Sequence, residues 1–239
     1  TLFPYTTLFR SHFRQVTAGA QYIPARARAA QILLQQGKLE QARALLRTTQ
    51  TSSEAEKTQL ILAEAQLLRE AGRADEAYAF LEAALAKQPD SPELLYETAL
   101  IAERQGKPPV LEKHLRRLLK LKPDHAHALN ALGYSFADRN VRLDEARKLI
   151  TRALELAPED PFIMDSMGWV LFRQGKLEEA LKTLETAYGI RADPEIAAHI
   201  GEVLWTQGRK DEASRVLAEA VKKFPDSEVL AGALKKFQP

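Results

Sequence analysis

A unit made of a helix, a glycine turn and a second helix recurs along this chain with a period of about 34 residues. Its clearest copy begins at Asp160-Pro161, where the aspartate can cap a helix N-terminus and the proline fits the first helical position. Gly175 supplies the turn, while Gly168 and Ala180 allow the two helices to approach closely. Each helix carries apolar residues on one face, so a single copy cannot bury its own core and requires neighbours.

The turn residue and a small residue after it mark every copy of this unit. The turn residues are Gly37, Gly72, Gly106, Asn140, Gly175 and Gly208. The small residues are Ala42, Ala77, Ala146, Ala180 and Ala213, with Leu111 as the exception. This pattern resembles the tetratricopeptide repeat family over about nine-tenths of the chain. The resemblance implies an all-α fold, a right-handed α-solenoid of about six helix-turn-helix repeats with a C-terminal capping helix.

The repeats can be delimited from the turn positions and from the prolines that end them. We expect repeats at residues 23–57, 58–91, 92–125, 126–160, 161–193 and 194–227. Residues 228–239 should form the capping helix, with Leu230, Leu234 and Phe237 on its apolar side.

The first 22 residues precede the regular repeats. Residues 1–11 resemble the in-frame translation of a sequencing-library adapter, so we expect this segment to be non-native. A natural leader is the alternative, although no charged region precedes an unbroken apolar core there. Residues 12–22 are consistent with the end of a repeat that begins upstream of this sequence.

Composition limits the classes of function. Charged residues make up 28% of the chain, but the net charge is only +2, which argues against a nucleic acid as the dominant partner. Without cysteine the chain has no thiol nucleophile, disulfide or zinc knuckle. No apolar run reaches the length of a membrane-spanning helix.

Catalytic and metal-binding patterns are the next class of feature to consider. The histidines are His12, His114, His125, His127 and His199, and none has the spacing of a metal motif. Ser166-Met167-Gly168 lacks the strand that a nucleophile elbow requires. We therefore predict a non-catalytic protein without metal or cofactor.

A protein-binding surface is the remaining prediction. In the resembled family the first helices line a concave groove, and transferring the groove positions gives candidate partner-binding residues. These candidates are Asn130, Tyr134, Phe162, Asp165, Trp169, Phe172, Arg173, Glu202 and Trp205. Trp169 belongs to a second face of its helix, whereas a surface helix needs only one apolar stripe. Additional aromatic residues are typical of binding anchors, although Trp169 or Trp205 could instead pack against the adjacent repeat.

On the anchor interpretation, the tryptophan contributes to binding more than to folding. We expect Trp169→Ala to destabilise the fold less than Met167→Ala, because Met167 lies on the predicted core face.

The resemblance also bears on the kind of partner. Chaperone-tail-binding members of the family hold a terminal carboxylate between Lys, Arg and Asn at the groove positions. The fifth positions of the first helices here include no Lys or Arg, and are Ala27, Leu62, Tyr96, Asn130, Asp165 and Ala198. That function is therefore not transferred.

Tyr22 and three segments, at residues 129–134, 165–169 and 193–199, are similar to the C-terminal repeats of a group of bacterial tetratricopeptide proteins, many of which are Gram-negative envelope lipoproteins. Some of those proteins are adaptors for a periplasmic carboxyl-terminal processing protease. The resemblance implies a scaffold or adaptor that binds a protein or peptide segment in a bacterial envelope complex, with an envelope protease as one candidate partner. It also implies a periplasmic protein held at the outer membrane by an upstream N-terminal lipid anchor; a cytoplasmic location is the alternative.

Two other functions remain open. Lys113, Arg116, Arg117 and Lys120 lie on one face of a predicted helix and could contact anionic lipid or nucleic-acid phosphates. Such a stripe is also typical of a solvated surface. Alternatively, the repeats could be a regulatory array of a larger protein.

Overall fold

The computed structural model of the chain describes Gly19 and residues 21–237, without the side chain at position 237. The proposed adapter segment 1–11 lies outside the described residues. So do most of segment 12–22, the last two residues, and the Phe237 side chain predicted to face the core of the capping helix.

The described part of the chain consists of α-helices, with no β-strand within it. In chain order the helices are α1 Tyr22–Gln35, α2 Leu39–Arg47, α3 Glu54–Glu70, α4 Ala74–Lys87, α5 Pro92–Arg104, α6 Pro108–Leu121, α7 Ala126–Asp138, α8 Leu143–Leu156, α9 Pro161–Arg173, α10 Leu177–Ile190, α11 Pro194–Thr206, α12 Lys210–Lys223 and α13 Glu228–Phe237. The prediction of an all-α helical-repeat fold is confirmed.

The helices form two units, which we call the N-terminal unit, to Leu121, and the C-terminal unit, from Lys122. In the N-terminal unit, three hairpins pair α1 with α2, α3 with α4, and α5 with α6. In the C-terminal unit, three hairpins pair α7 with α8, α9 with α10, and α11 with α12, and α13 packs on α11 and α12.

Side-chain caps determine where several first helices begin. Asp160 accepts hydrogen bonds from the backbone N–H groups of Phe162 and Ile163, at 2.9 and 3.2 Å. Asp193 accepts one from Glu195 N–H at 2.9 Å. A proline follows each of these caps, and its missing N–H costs nothing at the first helical position.

The glycine turn reverses the chain inside a hairpin. Gly175 has φ of +77°, a region that residues with a Cβ rarely enter. Its N–H donates to Phe172 O, and the following N–H of Lys176 donates to Leu171 O at 3.0 Å. The turn that lacks glycine uses two residues with positive φ, Asn140 and Arg142.

The two helices of a hairpin cross closely at small residues. A Cβ placed on Gly168 of α9 would lie 2.5 Å from Leu184 Cγ of α10, and one on Gly133 of α7 would lie 2.6 Å from Ile150 Cγ1 of α8. Ala180 is fully buried at the first of these crossings. Leu111, which replaces the small residue in the N-terminal unit, is also fully buried.

Gly168→Ala should lower the free energy of unfolding by about 1–3 kcal/mol, because the added methyl group overlaps Leu184 at the crossing. Gly189→Ala in α10 is the matched control: no heavy atom lies within 4 Å of its Cβ position. Removing that helical glycine should stabilise the protein by up to about 1 kcal/mol. Urea unfolding followed by circular dichroism measures both changes. Shifts of the same sign and size in the two variants would contradict the proposed crossing.

Candidate functional site

The predicted partner-binding residues all lie on the first helices of the C-terminal unit. Helix α7 carries Asn130 and Tyr134, α11 carries Glu202 and Trp205, and α9 carries the other five. We call the side of these three helices that bears them the first-helix face.

A buried ion pair lies at the centre of this face. Asp165 Oδ1 of α9 is 2.8 Å from His199 Nδ1 of α11, and the two residues are 6% and 8% exposed. One turn along α9, the Trp169 indole stacks on the His199 ring with a centroid distance of 4.2 Å and an interplanar angle of 21°. Trp169 is itself only 6% exposed. It therefore packs on the adjacent repeat and does not present an open ring to solvent.

A third helix joins this cluster through Tyr134. The Tyr134 hydroxyl donates a hydrogen bond to the carboxylate of Glu195, and its ring centroid lies 6.4 Å from that of His199. Tyr134 belongs to α7, whereas Glu195 and His199 belong to α11. The cluster thus connects the first helices of three consecutive hairpins.

The electrostatics of the cluster favour a protonated histidine. Burial by itself lowers the pKa of His199, since it penalises the charged ring. The hydrogen bond and negative charge of Asp165, together with the charges of Glu195 and Glu202, outweigh burial and raise the pKa of His199 above its ordinary value. The imidazolium is then stacked on an indole, a favourable arrangement for a cation.

The two phenylalanines of α9 lie in different environments. Phe162 is 42% exposed, and the Arg191 guanidinium lies over its ring at 5.1 Å from the centroid. Phe172 is partly buried against the hydrophobic core, and its ring centroid is 5.0 Å from that of Trp169. Of the candidate aromatic residues, Phe162 has the largest exposed fraction.

The charged candidates are engaged within the chain. Arg173 donates from Nε to Ala137 O and from a terminal nitrogen to Asp138 O, both at 3.2 Å, which fastens the end of α9 to the end of α7. Glu202 accepts from Lys236 Nζ of α13 at 2.6 Å. Trp205, the last candidate, is partly buried, with Lys210 Nζ 4.9 Å from its ring centroid.

Two buried polar atoms on this face find no hydrogen-bond partner in the described part of the chain. They are the indole N–H of Trp169 and the side-chain carbonyl oxygen of Asn130. One is a donor and the other an acceptor, and each costs free energy while it remains unsatisfied.

His199 is the member of the cluster that sequence reasoning missed. The sequence showed only that it has no metal-motif spacing, and its partner Asp165 lies 34 residues away. That separation is one repeat. The available signal was therefore an acidic residue in one repeat and a histidine at nearly the same place in the next.

Catalytic chemistry has little support in this geometry. A Ser166 hydroxyl beside the Asp165–His199 pair could suggest a triad, but Ser166 Oγ donates to Phe162 O of its own helix at 3.0 Å. Within the described residues, no group of three or more acidic or histidine side chains could hold a metal ion.

The basic stripe of α6, in the N-terminal unit, is partly neutralised. Arg116 Nε donates to Glu112 at 2.8 Å, and Arg117 pairs with Asp90 at 2.6 Å. Lys113 and Lys120 are exposed. Two of the four cations therefore have acidic partners in the chain.

None of the helices in the described residues combines the length and apolar character needed to cross a bilayer.

These observations define an α-helical repeat protein assembled from hairpins. Tetratricopeptide repeat models match residues 23–48, 62–110, 112–161 and 171–236, which is most of the chain. The chain belongs to the tetratricopeptide repeat family, whose stacked hairpins form scaffolds for protein interaction.

One curated relative is the TPR repeat-containing protein PA4667 of Pseudomonas aeruginosa, which is 40% identical over 184 residues. That alignment covers 77% of this chain and 31% of the relative, so the chain spans about a third of the relative's length.

Solved structures show the same fold. TTC0263, a thermophilic TPR protein from Thermus thermophilus, has a TM-score of 0.66 at 25% identity, covering 74% of this chain and 98% of that one. PilW, described as a type IV pilus biogenesis factor, has a TM-score of 0.68 at 18% identity, covering 90% of this chain and all of PilW. The likeness to PilW shows the fold alone.

The burial of Trp169 reverses the expected order of two stability effects. Trp169 is almost fully buried, whereas Met167 is only partly buried. Trp169→Ala should cost about 3–5 kcal/mol, the range for a buried aromatic residue, and Met167→Ala should cost less. Urea unfolding of both variants measures the difference. A larger loss for Met167→Ala would show that Trp169 does not support the fold.

The raised pKa of His199 predicts a pH-dependent stability of the C-terminal unit. Its contribution is fully present below the pKa of an unfolded histidine and is lost as the pH rises through the higher folded value. The stability difference between wild type and His199→Gln should therefore be larger at about pH 6 than at about pH 9. Hydrogen exchange of α9 and α11 amides measures it locally. An equal difference at both pH values would contradict the assigned charge state.

Proposed function

We propose that this chain is a non-catalytic scaffold or adaptor that binds a segment of a partner protein on the first-helix face. The observation that carries this proposal is the exposed ring of Phe162 on that face, at 42% exposure. Aromatic side chains are typical anchors at protein interfaces. A bound segment would cover this ring and remove its apolar surface from water.

The buried cluster and the exposed residues have different roles in this proposal. Asp165, His199 and Trp169 hold α9 and α11 in a fixed arrangement, so the face is formed before the partner arrives. Pre-organisation of this kind reduces the entropy lost on binding. Phe162, whose ring is exposed beneath Arg191, is the apolar anchor that the partner covers. Tyr134, Phe172, Arg173, Glu202 and Trp205 complete the surface.

We further propose that the partner belongs to a bacterial envelope complex, with a carboxyl-terminal processing protease as one candidate. The support is the similarity of three segments to envelope lipoproteins, together with a Pseudomonas aeruginosa relative at 40% identity. On this proposal the protein is periplasmic and is held at the outer membrane by a lipid anchor encoded upstream. A cytoplasmic location remains the alternative.

A second candidate function is that of a regulatory array within a larger protein. It is favoured by one observation, that the chain spans about a third of the length of its curated relative. Contact with lipid or nucleic acid through α6 is less favoured, since Arg116 and Arg117 are already paired with acids.

Trp169→Phe should weaken partner binding by about 1 kcal/mol, because the smaller ring loosens the contact with His199 that holds α9 and α11 in a fixed arrangement. Phe162→Ala should weaken it by about 2 kcal/mol, the scale of an interface anchor. Val229→Ala is the matched control, since Val229 is an exposed apolar residue of α13 at 49% exposure. Partners are captured from an envelope extract, identified by mass spectrometry, and their affinities measured with purified protein. Unchanged affinity in both test variants would place the site elsewhere.

A further inference from the structure

The N-terminal unit contains a large groove on a different part of the fold. It has a volume of about 800 Å³ and lies between α2 and α4, with α3 as its floor. Its apolar lining includes Leu46 of α2, Leu60 and Ile61 of α3, and Phe80 of α4.

The groove exists because α2 stops early. Helix α2 has 9 residues, whereas the second helix of every other hairpin described, α4, α6, α8, α10 and α12, has 14. Thr48 Oγ1 donates to Ala44 O at 2.8 Å and Thr49 Oγ1 donates to Leu45 O at 2.7 Å. These hydroxyls satisfy the last carbonyls of α2, so the helix can end at Arg47 without leaving them unpaired.

The next helix begins early for a matching reason. Ser53 Oγ accepts from Glu56 N–H at 3.2 Å, and the Glu56 carboxylate accepts from Ser52 N–H at 2.6 Å. These bonds, made by the N-cap Ser53 and the residue before it, start α3 at Glu54 and give it 17 residues, against 13 for α5, α7, α9 and α11. The lengthened floor is therefore left without the turn of α2 that would cover it.

The C-terminal unit shows what occupies this place in a regular repeat. The equivalent groove, between α8 and α10 over α9, has a volume of about 360 Å³. Leu154, from the last turn of α8, and Pro158, just beyond it, line that groove. The five residues absent from α2 correspond to about 7.5 Å of helix. The larger groove thus has room for roughly the turn that Leu154 belongs to.

Charge at the groove indicates the chemistry of an occupant. Glu64, at 2% exposure, is already neutralised by Arg43 at 2.9 Å and Arg47 at 2.5 Å. Lys57 pairs with Glu54 at 3.4 Å. Lys87 also lines the groove, and it has no ion-pair partner among the residues that the structure describes. The remaining charge is positive, which favours an acidic group in the occupant.

We propose that this groove is a docking site for a short α-helical segment of a partner protein. The segment supplies the missing turn: an apolar side chain packs on Ile61 and Phe80, and a carboxylate pairs with Lys87. The site goes beyond the function proposed above, because it lies in the other unit and uses neither Trp169 nor Phe162.

The test uses a display library of random peptides of about 16 residues, long enough for several helical turns. Selection is run on the wild-type chain, on Ala83→Trp and on Ala86→Trp. Ala83 and Ala86 are both exposed on α4, but only Ala83 lines the groove. The first variant therefore fills the groove and the second is its matched control.

Wild type and Ala86→Trp should enrich amphipathic helical peptides that carry an acidic residue. Ala83→Trp should bind those peptides with an affinity at least about tenfold lower. Lys87→Glu should also weaken them, and replacing the peptide's acid by lysine should restore affinity to that variant. This charge exchange tests the site even if Ala83→Trp perturbs the fold. Equal binding by Ala83→Trp, enrichment of peptides without an acidic residue, or no enrichment on wild type would overturn the proposal.

Discussion

Each helix in the described part of this protein carries an apolar stripe, and the fold depends on burying that stripe against a neighbouring helix. The stripe can be buried only if the two helices approach closely, which is why Gly168 meets Leu184 with no room for a Cβ. The last helix obeys the same constraint. Leu230 of α13 is fully buried and joins Leu217 and Ala220 of α12 in the terminal core. A helix without such a partner would expose its apolar face to water.

Because the constraint repeats, the sequence was enough to predict the class of fold. The repeat template did not predict the irregularity in the N-terminal unit. It placed the second repeat at Thr58, whereas α3 begins at Glu54. A template built from glycine, alanine and proline positions averages over local signals such as the Thr48 hydroxyl bond and the Ser53 cap. Those short-range hydrogen bonds determine where α2 and α3 end and begin, and hence the size of the groove between α2 and α4.

The candidate site was predictable only in part, for a different physical reason. A helical projection shows that Trp169 lies outside the main apolar stripe of α9, but not whether a partner or the next repeat covers it. Here the covering group is His199, and it is held by Asp165 from the preceding repeat. A buried acid–histidine pair must overcome a desolvation penalty, so it is favourable only with short, well-directed contacts. A sequence pattern that treats each repeat separately cannot predict such side-chain contacts between repeats.

The two units contain buried histidines that respond to pH in opposite directions. His114 of α6 lies 3.1 Å from Glu82, yet burial outweighs that acid and lowers the pKa of His114. The Glu82 side chain is 43% exposed, so water screens its charge, whereas the side chain of Asp165, the partner of His199, is 8% exposed. His114 therefore favours its neutral form and loses stability as the pH falls, while His199 favours its charged form and loses stability as the pH rises. The set of charges around each ring also differs: Glu195 and Glu202 add to Asp165 in raising the pKa of His199, whereas Lys113 opposes Glu82 and lowers that of His114.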